Sequence, residues 1–125
     1  MNTKSRTITI SVKKSTGYVF DAILNMPPKL MPDAKKNNDG SWSFSTDRGQ
    51  ALLKFKENKQ HGILDHQFAD QEAKWNNAMR VISNGDYSEI TVTLNKPESL
   101  SEQIFDLRTK EMEGIMQSMK QILEQ

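Results

Sequence analysis

The sequence predicts an α+β fold, a curved antiparallel sheet of about six strands wrapped on one long C-terminal helix, with a short helical segment after the first strand. Three features predict it. Residues 7–12 alternate polar and apolar; five further strand-like segments follow between 41 and 95; and a 3.6-period apolar stripe runs from Ile104 to Leu123. At 125 residues the chain has the usual size of one domain, and residues 1–125 are read as a single domain.

The first strand is Thr7-Ile8-Thr9-Ile10-Ser11-Val12, a period-2 pattern with one buried face. Ser15 or Thr16 can then cap a helix carrying Tyr18, Val19, Phe20, Ala22, Ile23 and Leu24, which is expected to end near Asn25. Pro27, Pro28 and Pro32 deny its continuation, while Met26, Leu30 and Met31 are too apolar for a solvated linker, so a loop folded back over the core is expected. Lys35 to Gly40 is polar and turn-forming, and is the segment expected to be least ordered. Strands are expected at 41–46, 50–56, 62–68, 74–83 and 88–95.

One choice of buried face survives every hairpin. Trp42 and Phe44 are set opposite Phe55 and Leu53, and these opposite Leu64 and His66. Leu64, His66 and Phe68 face Met79, Asn77 and Trp75, and the next strand supplies Ile90, Val92 and Leu94 after the hairpin signal Asn84-Gly85. Lys54, Lys56, Asp65, Asn76, Arg80, Thr91 and Thr93 share the other, wet face. Ser99, with Glu102 three residues on, reads as a capping box that starts the long helix, which runs to about Glu124. Its apolar residues Ile104, Phe105, Met112, Ile115, Met116, Met119, Ile122 and Leu123 fall within an arc of about 120°, and the apolar face of the sheet is the partner such a stripe requires.

Composition removes several classes of function. Lys plus Arg number 17 against 16 Asp plus Glu, a formal charge of +1, so no overall field holds nucleic acid or an anionic membrane. The lysines 13, 14, 35, 36, 54 and 56 are scattered among acids and read as a solvated surface. The absence of cysteine excludes disulfides, thiolate catalysis and cysteine-ligated metals. Met1 to Thr7 is polar, without the apolar stretch of a secretory signal, and the chain is read as cytoplasmic with no membrane span. No triad, nucleotide-binding loop or paired-carboxylate motif is recognised, and neither a cofactor nor a metal is expected.

The order of strand, short helical segment, five-stranded meander and long closing helix is the helix-grip layout, and it resembles the START-like or Bet v 1-like (SRPBCC) superfamily over nearly the whole chain. The runs Gly62-Ile63-Leu64-Asp65-His66, Asn77-Ala78-Met79-Arg80-Val81, Asn84-Gly85, Ser88-Glu89-Ile90 and Leu100-Ser101-Glu102 with Phe105 are similar to small bacterial polyketide-cyclase-like members of that superfamily. The resemblance implies a cavity between sheet and helix for a small apolar or amphipathic ligand, without fixing a reaction. Plant members carry a glycine-rich loop where this chain has only Thr46-Asp47-Arg48-Gly49-Gln50, so no phosphate-binding loop is inferred.

Three polar residues on otherwise apolar faces are the candidate ligand contacts. Arg108 lies near the middle of the helical stripe, where it either holds an anionic group of a ligand or pairs with an internal acid. His66, with Asn77 opposite, is either a general base or ligand contact, or a core histidine bonded to Asn77 or to backbone. His61 falls in a turn and is expected to be solvated. Met79, Met112, Met116 and Met119 serve either as an adaptable lining or as core, as do Phe55, Phe68 and Trp75. Three readings of function follow: an uncharacterised binder of a small apolar molecule; a cyclase or dehydratase using His66 as base and Arg108 to stabilise an oxyanion; and a protein-interaction module with a filled interior, related to chaperone activators. A monomer or weak homodimer is expected, with the second strand as a free sheet edge.

Overall fold

The computed structural model describes residues 4–125. Met1 to Thr3, the start of the polar segment noted above, lie outside the described residues. The chain begins with β1 (Ser5–Val12), α1 (Thr16–Leu24) and α2 (Pro27–Leu30). A meander follows: β2 (Lys35–Lys36), β3 (Trp42–Thr46), β4 (Gly49–Asn58), β5 (Ile63–Ala69), β6 (Lys74–Asn84) and β7 (Tyr87–Asn95). It closes with α3 (Glu102–Leu123). All strand pairs are antiparallel, in the order β1-β7-β6-β5-β4-β3-β2. Among the described residues no helix is long and apolar enough to cross a membrane.

Local chemistry sets the element ends. The Ser15 side chain caps α1 by accepting from the backbone N–H of Tyr18 at 3.3 Å. The prolines after α1 do not make a loop, as the sequence suggested; they open α2, with Pro27 and Pro28 in its first turn, where the missing N–H would have had no intrahelical partner. Ser101 rather than Ser99 caps α3, accepting from Ile104 N–H at 3.1 Å. Pro97 to Leu100 is instead a hydrogen-bonded turn, which places the buried Leu100 just before the cap and Phe105 on the fourth helical residue, the two positions of a hydrophobic staple.

Lys35 to Gly40 is ordered by its own polar groups. Lys35 and Lys36 pair with Ser43 and Trp42, making a seventh strand, and the Asn37 amide donates to the Ser41 and Ser43 hydroxyls at 3.0 and 2.8 Å. Ser41, fully buried, donates to Asp39 from both its N–H and its hydroxyl.

Two hairpin registers differ from the sequence reading by two residues. Trp42 pairs with Leu53 and Phe44 with Ala51, because only Asp47 and Arg48 form the loop. Phe55 pairs with His66 and Leu53 with Phe68, because β4 runs on to Asn58, whose side chain accepts from His61 N–H and closes a 3₁₀ turn. Since the side-chain period is two, neither shift changes which residues are buried. Gly62 ends that turn at φ +66, and a Cβ there would stand 2.4 Å from the Val81 carbonyl oxygen, so only glycine fits. In the β6–β7 hairpin the loop residues are Gly85 and Asp86 between paired Asn84 and Tyr87, with Gly85 at φ +60 in the first position, as a type II′ turn requires.

The apolar face of the sheet, α1 and α3 enclose the main core, which includes Val12, Val19, Leu64, Ile90, Val92, Phe105, Met116 and Leu123. A second cluster, Trp42, Phe44 and Ala51, lies on β3 and β4 with Met31, Leu53, Phe55 and Phe68 packed against it.

Candidate functional site

Between these two clusters lies a cavity of about 510 Å³. Sheet, helices and the β3–β4 turn all contribute to it. From β4, β5 and β6 come Leu53, Phe55, His66, Phe68, Trp75, Asn77 and Met79; from α1, α2 and the residues around them Ile23, Met26, Leu30 and Met31. Helix α3 supplies Arg108, Glu111, Met112, Ile115 and Met119, and the turn supplies Asp47 and Arg48.

Nine of the ten residues singled out in the sequence line this cavity: Phe55, His66, Phe68, Trp75, Asn77, Met79, Arg108, Met112 and Met119. Met116 does not. It is fully buried in the main core, because α3 carries two adjacent stripes: Met112, Ile115 and Met119 face the cavity, whereas Phe105, Thr109, Met116 and Leu123 fill the packed interior. His61 lies exposed in the 3₁₀ turn, away from the cavity.

The Arg108 guanidinium is held by acids. Its side chain is 10% exposed, and it donates to Asp70 Oδ2 at 2.7 Å and Glu72 Oε1 at 2.5 Å, with Glu111 at 3.8 Å. The Asp70 side chain is itself only 2% exposed. Arg108 also lies over the Trp75 ring, 5.2 Å from its centroid. Trp75 stacks on Phe105 at 6.0 Å, and the Arg6 guanidinium, paired with Asp106, lies over the Phe105 ring, 5.1 Å from its centroid. Arg48 forms a two-pronged pair with Glu111, at 2.8 and 2.9 Å, and reaches Glu72 at 3.3 Å. This pair raises the Arg48 pKa and holds the Glu111 carboxyl below the usual carboxylate range. Of the two readings of Arg108, pairing with an internal acid is the one found; the sequence reading named none of these acids, although Glu111 stands three residues beyond Arg108, a spacing that puts both on one helix face.

His66 is 8% exposed and sits directly opposite Asn77 in the ladder. The two side chains are not bonded to each other. His66 Nδ1 lies 3.0 Å from the Leu64 carbonyl oxygen, and the Phe55 ring meets the imidazole edge-on at 5.6 Å. Burial pushes the His66 pKa below its ordinary value, partly opposed by the Leu64 hydrogen bond and by Asp65. Two buried side-chain atoms among the described residues have no hydrogen-bond partner, Trp75 Nε1 and Asn77 Oδ1, and both belong to residues of the cavity wall. Orphaned polar atoms of this kind are rare in packed interiors.

No protein-family model matches the chain, and no curated protein sequence matches it. Solved structures do. The chain superposes on Ara h 8.0201 with a TM-score of 0.69 at 14% identity, covering 95% of this chain and 96% of that one. An uncharacterised protein from Bacillus thuringiensis gives 0.75 at 12% identity, covering 95% and 98%. DynU16, a protein of the dynemicin biosynthetic locus, gives 0.71 at 10% identity, covering 98% of this chain and 48% of that one. The fold is therefore the Bet v 1-like helix-grip fold, α+β, with its sheet closed over the C-terminal helix.

Proposed function

We propose that residues 1–125 act as one domain that binds a small, mainly apolar molecule in the cavity between β4–β6 and α3. The observation that carries this reading is a cavity of about 510 Å³, in the size range of small-molecule sites, whose wall is mainly apolar, with a cluster of paired charges around Arg48 and Arg108 and two buried polar atoms that lack protein partners. The helix-grip fold supports it, since that scaffold commonly encloses apolar ligands. A filled interior, which an interaction module would call for, fits such a space poorly. The cyclase or dehydratase reading gains no specific observation: His66 leans on a backbone carbonyl rather than a carboxylate, and the Arg108 charge is already met by acids.

Fluorescence titration with the neutral apolar probe N-phenyl-1-naphthylamine tests the proposal. Saturable, blue-shifted emission at one probe per chain is expected, and it should be abolished by Met112→Trp, which fills the cavity from α3. Emission that does not saturate, or that Met112→Trp leaves unchanged in a folded protein, would overturn it.

A further inference from the structure

We infer that the cavity selects an uncharged occupant that donates a hydrogen bond, from a hydroxyl or N–H group, to Nε2 of His66. The inference rests on the cavity reading above and adds the chemistry of the ligand.

It begins with a constraint from the backbone. The Leu64 carbonyl oxygen can only accept, so the 3.0 Å contact requires His66 Nδ1 to carry the proton. In the neutral ring the lone pair is then on Nε2, and no described residue bonds that atom. The ring is held between this hydrogen bond and the edge contact with Phe55, inside a wall that includes Phe68 and Met79. Burial favours the uncharged imidazole, so His66 is an acceptor at neutral pH. Asn77, opposite it in the ladder, adds an amide that also lacks a partner on its oxygen.

The charges of the wall argue against an anion. Two arginines line the cavity, Arg48 and Arg108, against three carboxylates, Asp47, Asp70 and Glu111. Both guanidinium groups are spent on acids: Arg48 on Glu111 and Glu72, Arg108 on Asp70 and Glu72. A ligand carboxylate would find no free cation: it would have to displace Glu111 and Glu72 from Arg48, or break the buried Arg108–Asp70 pair. A ligand cation fares no better, because Asp70 and Glu111 are held by those same arginines. What the interior leaves open is neutral: two acceptors facing each other across the ladder, His66 Nε2 and Asn77 Oδ1, and one donor, Trp75 Nε1.

The test is a displacement series on the intact protein at pH 7.5, with N-phenyl-1-naphthylamine as bound probe and 4-butylphenol, butylbenzene, 4-butylbenzoate and 4-butylbenzylamine as competitors of matched shape. The phenol is expected to displace the probe about tenfold more tightly than butylbenzene, the worth of one hydrogen bond to an otherwise unmet acceptor, and the two charged competitors more weakly than either. His66→Phe, checked for an intact melting transition, should bring phenol and butylbenzene to equal strength. Butylbenzene binding as well as the phenol, or the benzoate or benzylamine binding best, would overturn the inference while leaving the cavity reading intact. Absence of any saturable probe binding would overturn both.

Discussion

One sheet face and one helix serve two regions of opposite character. Where β1 and β7 meet α1 and α3, solvent is shut out: Val12, Val19, Ile90, Val92, Phe105 and Met116 are at zero exposure, and none of them lines the cavity. Where β3, β4 and β5 curve away, the same alternation leaves Phe55, Leu53 and Phe68 half-buried around an open volume. The difference teaches that hydrophobic periodicity specifies which face is dry but not whether it is full. The first prediction breaks the comparison if it fails. Phe105→Ala, at a fully buried ring in contact with both Trp75 and Arg6, should lower unfolding free energy by about 3–5 kcal/mol in urea titration, whereas Met112→Ala on the cavity wall should cost under about 2 kcal/mol, having fewer contacts to lose. Equal losses would mean that the second region is packed core.

The next effect belongs to the boundary between the regions. Arg108→Met leaves the Asp70 carboxylate, 2% exposed, without its closest cation, and should destabilise by about 3 kcal/mol. Adding Asp70→Asn removes the stranded charge, so the double variant should recover much of that loss in thermal melts. A single variant as stable as the parent would show that solvent reaches Asp70 and that the pair is not part of the wall.

How much of this was legible follows the same division. The six longer strands, their buried face and the approximate span of α3 were readable because alternation and helical periodicity are local signals. The His66–Asn77 pairing was readable for the same reason, since a hairpin with a fixed face leaves few registers. What escaped was non-local or energetic. The β4–β5 shift depends on a 3₁₀ turn stabilised by one asparagine side chain, and the role of Pro27 and Pro28 as helix starters depends on where α1 happens to stop. Met116 was separated from Met112 and Met119 only by the direction of approach of the sheet. The two acids that Arg108 donates to, Asp70 and Glu72, come from the β5–β6 turn, almost forty residues away in sequence, where they read as ordinary turn residues.

A smaller effect sharpens the contrast through pH. The folded state lowers the His66 pKa from 6.5 mainly by burial, so below about pH 6.5 the unfolded chain takes up the proton first. The contribution to stability is thus fully present above that pH and is lost as pH falls through the lower folded-state value. Denaturant midpoints measured between pH 7.5 and 5 should decline in the parent and decline less in His66→Gln. Identical slopes would mean that water enters the cavity and solvates the imidazolium.

The smallest expected change concerns access rather than stability. Arg48 and Glu111 tie the β3–β4 turn to α3 at the edge of the cavity, but Glu111 is 41% exposed, so the pair contributes under about 1 kcal/mol and weakens with salt. Because Arg48 holds the Glu111 pKa below 4.5, the tie persists above that pH and is released as pH falls through the depressed value. Glu111→Gln should therefore leave the melting temperature nearly unchanged while speeding amide exchange at Asp47 to Gly49 and raising both association and dissociation rates of a bound probe, with the equilibrium constant little altered. Rates equal to the parent's at low salt would place the route into the cavity elsewhere, between α2 and β3, where Leu30 and Met31 line its wall.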